Sequence, residues 1–239
     1  MNCPCVLLLK RFAEPWFIAV LLLLCILCGS AFAEENQPKA PWLRGERLTY
    51  SLGWGIITAG TATLEVIPKA DGKIEFVTHA FDSGALKKLY PVSDTVYTRV
   101  RGESLETEVF YKSLHEGDFH NKSEIRFDRA GKKALLSDTV FLDPVKRTVK
   151  RSSDTAVTIQ GMEHSIMSAF YFVRTIPLAV GDTSRFSAVS GTKRYELKVI
   201  VHGREKMKYK GKSYNVVKIE PVLDGDGIFN SKGRIFIWL

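Results

Sequence analysis

GERLTYSLGWGIITAGTATLEV, residues 45–66, decides the fold class. Leu48, Tyr50, Leu52 and Trp54 alternate with Arg47, Thr49, Ser51 and Gly53. That is the period of two expected of a strand with one apolar face. After a glycine-bearing turn, Ala62, Leu64 and Val66 alternate with Thr61, Thr63 and Glu65 in the same way. The stretch therefore predicts a β-hairpin.

Towards the C-terminus the same grammar continues. Asp71-Gly72 is a turn signal, with Ile74, Phe76 and Thr78 returning beyond it. Val92 to Arg101 is rich in β-branched residues. Thr107–Leu114 and Asn121–Phe127 flank a Gly117-Asp118 turn, and Asp128–Gly131 makes the next turn before Ala134–Leu136. One segment differs: Met162, Ile166, Ala169, Phe170 and Val173 recur at three- and four-residue spacing, predicting an amphipathic helix over about 162–175. Glu163 early and Arg174 late suit its dipole, and Pro177 ends it. Strands follow at Arg194–His202, Tyr214–Ile219 and Arg234–Leu239. Short turns between many strands predict an all-β, mainly antiparallel domain: a curved sheet, half-barrel or barrel-like, with the helix packed against it. A β-sandwich is the second choice. Ile235 to Leu239 is apolar on both faces, which predicts a central strand and a partner strand beyond the end of this chain.

Towards the N-terminus, residues 34–44 read as a polar, proline-bearing linker to a single domain over 45–239. Before it, Lys10 and Arg11 precede an apolar run from Trp16 to Cys28, closed by Ala31-Phe32-Ala33. This is the layout of a cleaved secretory signal over 1–33. The run is short for a membrane span, which needs about 20 residues; an uncleaved anchor in the inner membrane is the alternative. The expected location is periplasmic. All four cysteines lie in this leader, so the CxxC of Cys25–Cys28 is part of an apolar stretch, and the mature chain has no thiol for disulfides or metals.

Lys+Arg number 34 against 26 Asp+Glu, a net charge of +8, of which the leader's Lys10, Arg11 and Glu14 supply one. The basic residues cluster at Lys132-Lys133, Lys146-Arg147, Lys150-Arg151, Lys193-Arg194 and Arg204 to Lys212. In an exported protein such patches suit membrane-surface contact or anionic glycans; nucleic acid does not fit that compartment.

The blocks Gly45–Trp54, Ala59–Ala62, Gly84–Asp94, Phe127-Asp128, Ser168–Arg174, Val180–Asp182 and Gly233–Leu239, in this order, resemble an exported bacterial family, domain of unknown function 3108. The resemblance implies an exported, β-rich, barrel-like domain. It carries over no catalytic residue.

Candidate chemistry is sparse. His115 and His120 face each other if Gly117-Asp118 is a two-residue turn, and two imidazoles could bind zinc or copper, but the sequence fixes no third ligand. Asp224-Gly225-Asp226-Gly227 lacks the closing glutamate of a calcium loop. His79 reads as a core or rim residue. His164-Ser165 does not make a triad by itself, and Asn121-Lys122-Ser123 is a glycosylation sequon. No catalytic residue, metal site or cofactor is assigned. The better candidates are apolar: Leu86, Leu89 and Tyr90 in a loop, with Trp54, Phe170 and Tyr171 between sheet and helix. They suggest a non-catalytic binding protein for a lipid-like or glycan ligand. The alternative is an interaction module of an envelope assembly, and a hydrolase is the weakest reading. A large lumen would favour binding, and a packed interior would favour interaction.

Overall fold

The computed structural model describes residues 40–54, 57–82, 87, 90–223 and 234–239. The opening stretch forms β1 (Glu46–Trp54) and β2 (Ile57–Pro68), paired antiparallel from Glu46↔Val66 to Trp54↔Ile57. The chain then meanders through β3 (Lys73–Asp82), β4 (Ser93–Arg101), β5 (Glu106–Glu116), β6 (Phe119–Asp128), β7 (Lys133–Asp143) and β8 (Thr148–Thr158). These make one eight-stranded sheet in sequence order. After helix α1 (Ile166–Val173) come β9 (Thr183–Ser190), β10 (Lys193–Tyr209), β11 (Lys212–Leu223) and β12 (Ile237–Trp238), a four-stranded sheet in the order β12-β11-β10-β9. Every ladder within the two sheets is antiparallel. No described helix is long and apolar enough to cross a membrane.

The all-β expectation with one helix holds; the barrel does not. The large sheet stays open, with β1 and β8 as separate edges, and the small sheet is distinct from it. The reason lies in how the inner face is covered. Directly opposed residues share a face, so the row Val66–Phe76–Thr98–Phe110–Ile125–Leu136 runs across six strands on one side. Tyr171 of α1 stacks flat on Phe76 at 4.0 Å, with the Trp42 ring 5.1 Å from Tyr171. Val189 of β9 joins Ile125, Phe127, Leu136 and Val157 in a second cluster. The other face of α1 gives Ala169 and Val173 to Leu197, Val199, Val201, Ile219 and Leu223 of the small sheet. The helix and β9 bury what closure into a barrel would otherwise have buried.

The helix is shorter than its periodicity suggests. Ser165 caps it: its Oγ accepts the Ser168 N–H at 3.2 Å, and the Ser168 Oγ accepts the Ser165 N–H at 2.9 Å. Met162 and Glu163 thus precede the helix, and Arg174 is its C-cap. Arg174 forms a two-pronged pair with Glu46 on β1 at 2.7 and 2.8 Å.

The segment just before the helix ties it to both sheets. The Thr107 hydroxyl accepts the Ser165 N–H at 3.1 Å and meets the Ser168 Oγ at 2.7 Å. His164 exchanges backbone bonds with β9 through Ser187 and Val189 at 2.9 and 2.8 Å. The Glu163 carboxylate, 1% exposed, accepts the Gln160 N–H at 2.7 Å and the Arg194 Nε–H at 3.0 Å. Burial pushes this carboxyl up, but the Gln160 and Gly161 N–H groups and the Arg194 guanidinium outweigh it and hold the group below the usual range.

Among the described residues β12 pairs with β11 alone, at Lys218 and Ile219, with Val217 and Leu239 exchanging backbone bonds beside them, and Trp238 is 40% exposed.

Candidate ligand pocket on the outer face of the large sheet

The Gly117-Asp118 turn has the predicted geometry. Gly117 adopts φ 57°, and His115 stands opposite His120 across β5 and β6. The two rings meet edge to face at 5.2 Å. The ladder between β6 and β7 adds Phe141 opposite His120. By register these side chains lie on the outer face, away from the helix, beside the row Thr49–Thr63–His79–Thr95–Ser113–Lys122–Thr139–Ser152.

A pocket of about 600 Å³ opens here, lined by His115, His120, Lys122, Phe141 and, from the β7–β8 turn, Val145 and Arg147. Its size is within the range of small-molecule sites, roughly 300–1,000 Å³. Lys122 Nζ lies 5.8 Å from the centre of the Phe141 ring. Among the described residues, neither Lys122 nor Arg147 has a carboxylate within ion-pair distance. His120 Nδ1 and Asn121 Oδ1 are buried without a hydrogen-bond partner. A buried imidazole nitrogen left unpaired is costly.

The metal reading gains no support here: among the described residues no third His, Cys, Asp or Glu joins the pair. The sequon is structurally closed. Asn121 is 4% exposed and its Nδ2 donates to Asp138 Oδ1 at 2.9 Å and to the Thr139 carbonyl at 3.1 Å. His79 is an exposed rim residue whose Nδ1 lies 3.1 Å from the Thr95 hydroxyl.

The apolar candidates separate. Tyr171 is fully buried core, and burial pushes its phenol pKa far up. Phe170 lines a narrow apolar slot of about 110 Å³ between α1 and β10–β12, with Ile166, Val173, Val199, Ile219 and Ile237. Tyr90, 54% exposed, lies over the hairpin turn: a Cβ on Gly117 would come within 2.7 Å of its ring. It thus joins the end of the sheet that carries the histidines. Leu86, Leu89 and the Trp54 side chain lie outside the described residues, as do the leader and Asp224–Gly227.

His164 and Ser168 do approach each other, Nδ1 to Oγ at 3.4 Å, yet they are 1% and 0% exposed. The Ser168 hydroxyl is engaged by the Ser165 N–H and Thr107, so the pair belongs to the packing described above. Burial, aided by the Arg129 charge, lowers the His164 pKa to about 4.

The fold and pocket define a two-sheet antiparallel β-domain with a cation-rich surface pocket. The chain belongs to a protein family of unknown function, DUF3108, whose model matches residues 49–239. No curated protein and no solved structure matches it.

Proposed function

We propose that this is a non-catalytic binding protein that takes an anionic, glycan-type ligand in the His115–His120 pocket. The observation that carries this reading is the unpartnered, buried His120 Nδ1 in a pocket of about 600 Å³. The surrounding groups have complementary chemistry. The Phe141 ring offers a face to sugar C–H groups, Lys122 and Arg147 offer charge to a carboxylate or phosphate, and the imidazoles offer hydrogen bonds. A lipid-like ligand fits the interior less well. The interior is filled by Trp42, Phe76 and Tyr171, and the remaining slot of about 110 Å³ has room for little more than one short alkyl group.

The test is a titration with oligogalacturonate followed by the histidine imidazole NMR signals. Signals of His115 and His120 are expected to move saturably, while that of His79 stays in place. Lys122→Glu is expected to weaken binding about tenfold or more, on the scale of one charge-assisted contact. Titration without movement of either signal, or equal movement of all histidines, contradicts the assignment.

A further inference from the structure

The β10–β11 hairpin runs well past the sheet that holds its base. β9 pairs with β10 only over Lys193–Ile200, and the segment Ile237–Leu239 pairs with β11 at Val217, Lys218 and Ile219. From Glu205↔Val216 to Tyr209↔Lys212 the two backbones pair only with each other among the described residues. A register shift between Val201 and Gly203 marks where the arm leaves the sheet. Every residue from Arg204 to Asn215 is exposed.

The arm has two unlike faces. Residues opposite one another share a face, so Glu205, Met207, Tyr209, Lys212, Tyr214 and Val216 lie on one side. Arg204, Lys206, Lys208, Ser213 and Asn215 lie on the other. Met207, Tyr209 and Tyr214 are 38%, 57% and 47% exposed, an apolar and aromatic strip open to solvent, with the Lys210 ammonium 5.3 Å from the centre of the Tyr209 ring. Five basic residues, Arg204, Lys206, Lys208, Lys210 and Lys212, stand against the single acid Glu205. That acid is already engaged, since the Trp238 indole N–H donates to it. Among the described residues no carboxylate pairs with Lys206, Lys208, Lys210 or Lys212.

We infer that this arm docks the protein on an anionic phospholipid surface. Tyrosines are suited to the headgroup level, where the ring is buried and the hydroxyl stays wet. Lysine stems lie along apolar surface while the ammonium reaches phosphate. The tip, Tyr209-Lys210-Gly211-Lys212, presents both groups together. A two-stranded ribbon has little stability of its own, so aromatic strip and charges both kept in water call for a partner surface. Anionic headgroups complement the excess of charge, and each lysine near such a surface is worth about 1 kcal/mol, or about fivefold.

The experiment is co-sedimentation of protein recovered from the bacterial envelope with two kinds of vesicle: phosphatidylglycerol mixed with phosphatidylcholine, and phosphatidylcholine alone. Binding to the anionic vesicles is expected, falling steeply with added salt. The double variant Lys206→Gln/Lys208→Gln is expected to lose about thirtyfold in apparent affinity. Tyr209→Ser is expected to weaken binding without changing the salt slope. Lys150→Gln/Arg151→Gln on β8 serves as a control of equal charge loss and is expected to bind as wild type. Far-UV circular dichroism checks that each variant keeps its sheet content. Binding that ignores lipid charge and salt, arm variants that bind as wild type, or an equal loss in the β8 control would each overturn the inference. So would capture of soluble polyglutamate with no vesicle binding.

Discussion

Replacing Arg129 by alanine is expected to destabilise the fold by roughly 3–5 kcal/mol, the cost of breaking a buried, hydrogen-bonded charge set. Arg129 leaves the β6–β7 turn and reaches the segment ahead of the helix. Its Nη2 donates to the Thr107 carbonyl at 3.1 Å and the Glu163 carbonyl at 3.0 Å, and its Nη1 donates to the Gly161 carbonyl. Its Nε pairs with Glu106 at 2.7 Å and its Nη1 with the Glu163 carboxylate at 3.6 Å. Truncation leaves three carbonyls short of a donor and the Glu106 carboxylate without its cation, where only 21% of the arginine side chain is exposed. Arg129→Lys keeps the charge but not the planar fork, and is expected to recover only part of the loss. For a domain of this size, a loss of this magnitude lowers the melting temperature by about 10 °C. A change under about 1 kcal/mol in urea unfolding would show that the arginine does not hold the helix entry in place.

Stability is expected to fall by about 3 kcal/mol as pH drops from 6.5 to 4, because of His164. Its pKa is lowered from 6.5 to about 4 by burial and the Arg129 charge. Within that window the unfolded chain binds a proton at this site and the folded chain does not, so acid favours unfolding. The drop levels off once the folded imidazole also protonates. Carboxylates held low, such as Glu163 and Glu220, act further down. Their contribution is present above the ordinary carboxylate pKa and is lost as pH falls through their folded values. Glu116 works the other way. Burial and then Asp94 raise its pKa, so the stability it lends is lost as pH rises through the folded value. Comparing wild type with His164→Gln in urea unfolding at several pH values isolates the histidine. The variant is expected to be less stable at pH 7 but to have a flatter profile between pH 6.5 and 4.5. An unchanged profile would contradict the assignment.

What the residues disclosed in advance was local. The hairpin at Gly45–Val66 and the Gly117-Asp118 turn follow from alternation and turn chemistry, and with them the meeting of His115 and His120. β8 escaped because Thr148–Thr158 is exposed at every position but Val157. An edge strand of that kind has no apolar alternation to read. Met162 fits the helical period, but the Ser165 cap decides where α1 starts. Phe170 and Tyr171 looked alike in sequence, but neighbouring helical residues point about 100° apart. One therefore faces the slot and the other the core. Phe141 and Arg147 complete the pocket through pairing of β6 with β7 and the turn that follows, a long-range register that periodicity does not encode.

The division into two sheets has the same origin. Each strand after α1 reads like those before it, and only packing assigns β9–β12 to a separate layer. Alternation identified strands, while the cover over the inner face decided that the large sheet would stay open.

Native mass spectrometry of the protein purified from its native cells tests the central claim most directly. The account predicts a co-purified acidic carbohydrate adduct on the wild-type protein, reduced or lost in a His120→Ala/Phe141→Ala variant that keeps its circular dichroism spectrum. A clean apo mass for the wild type, or a lipid adduct that survives in the variant, would contradict it.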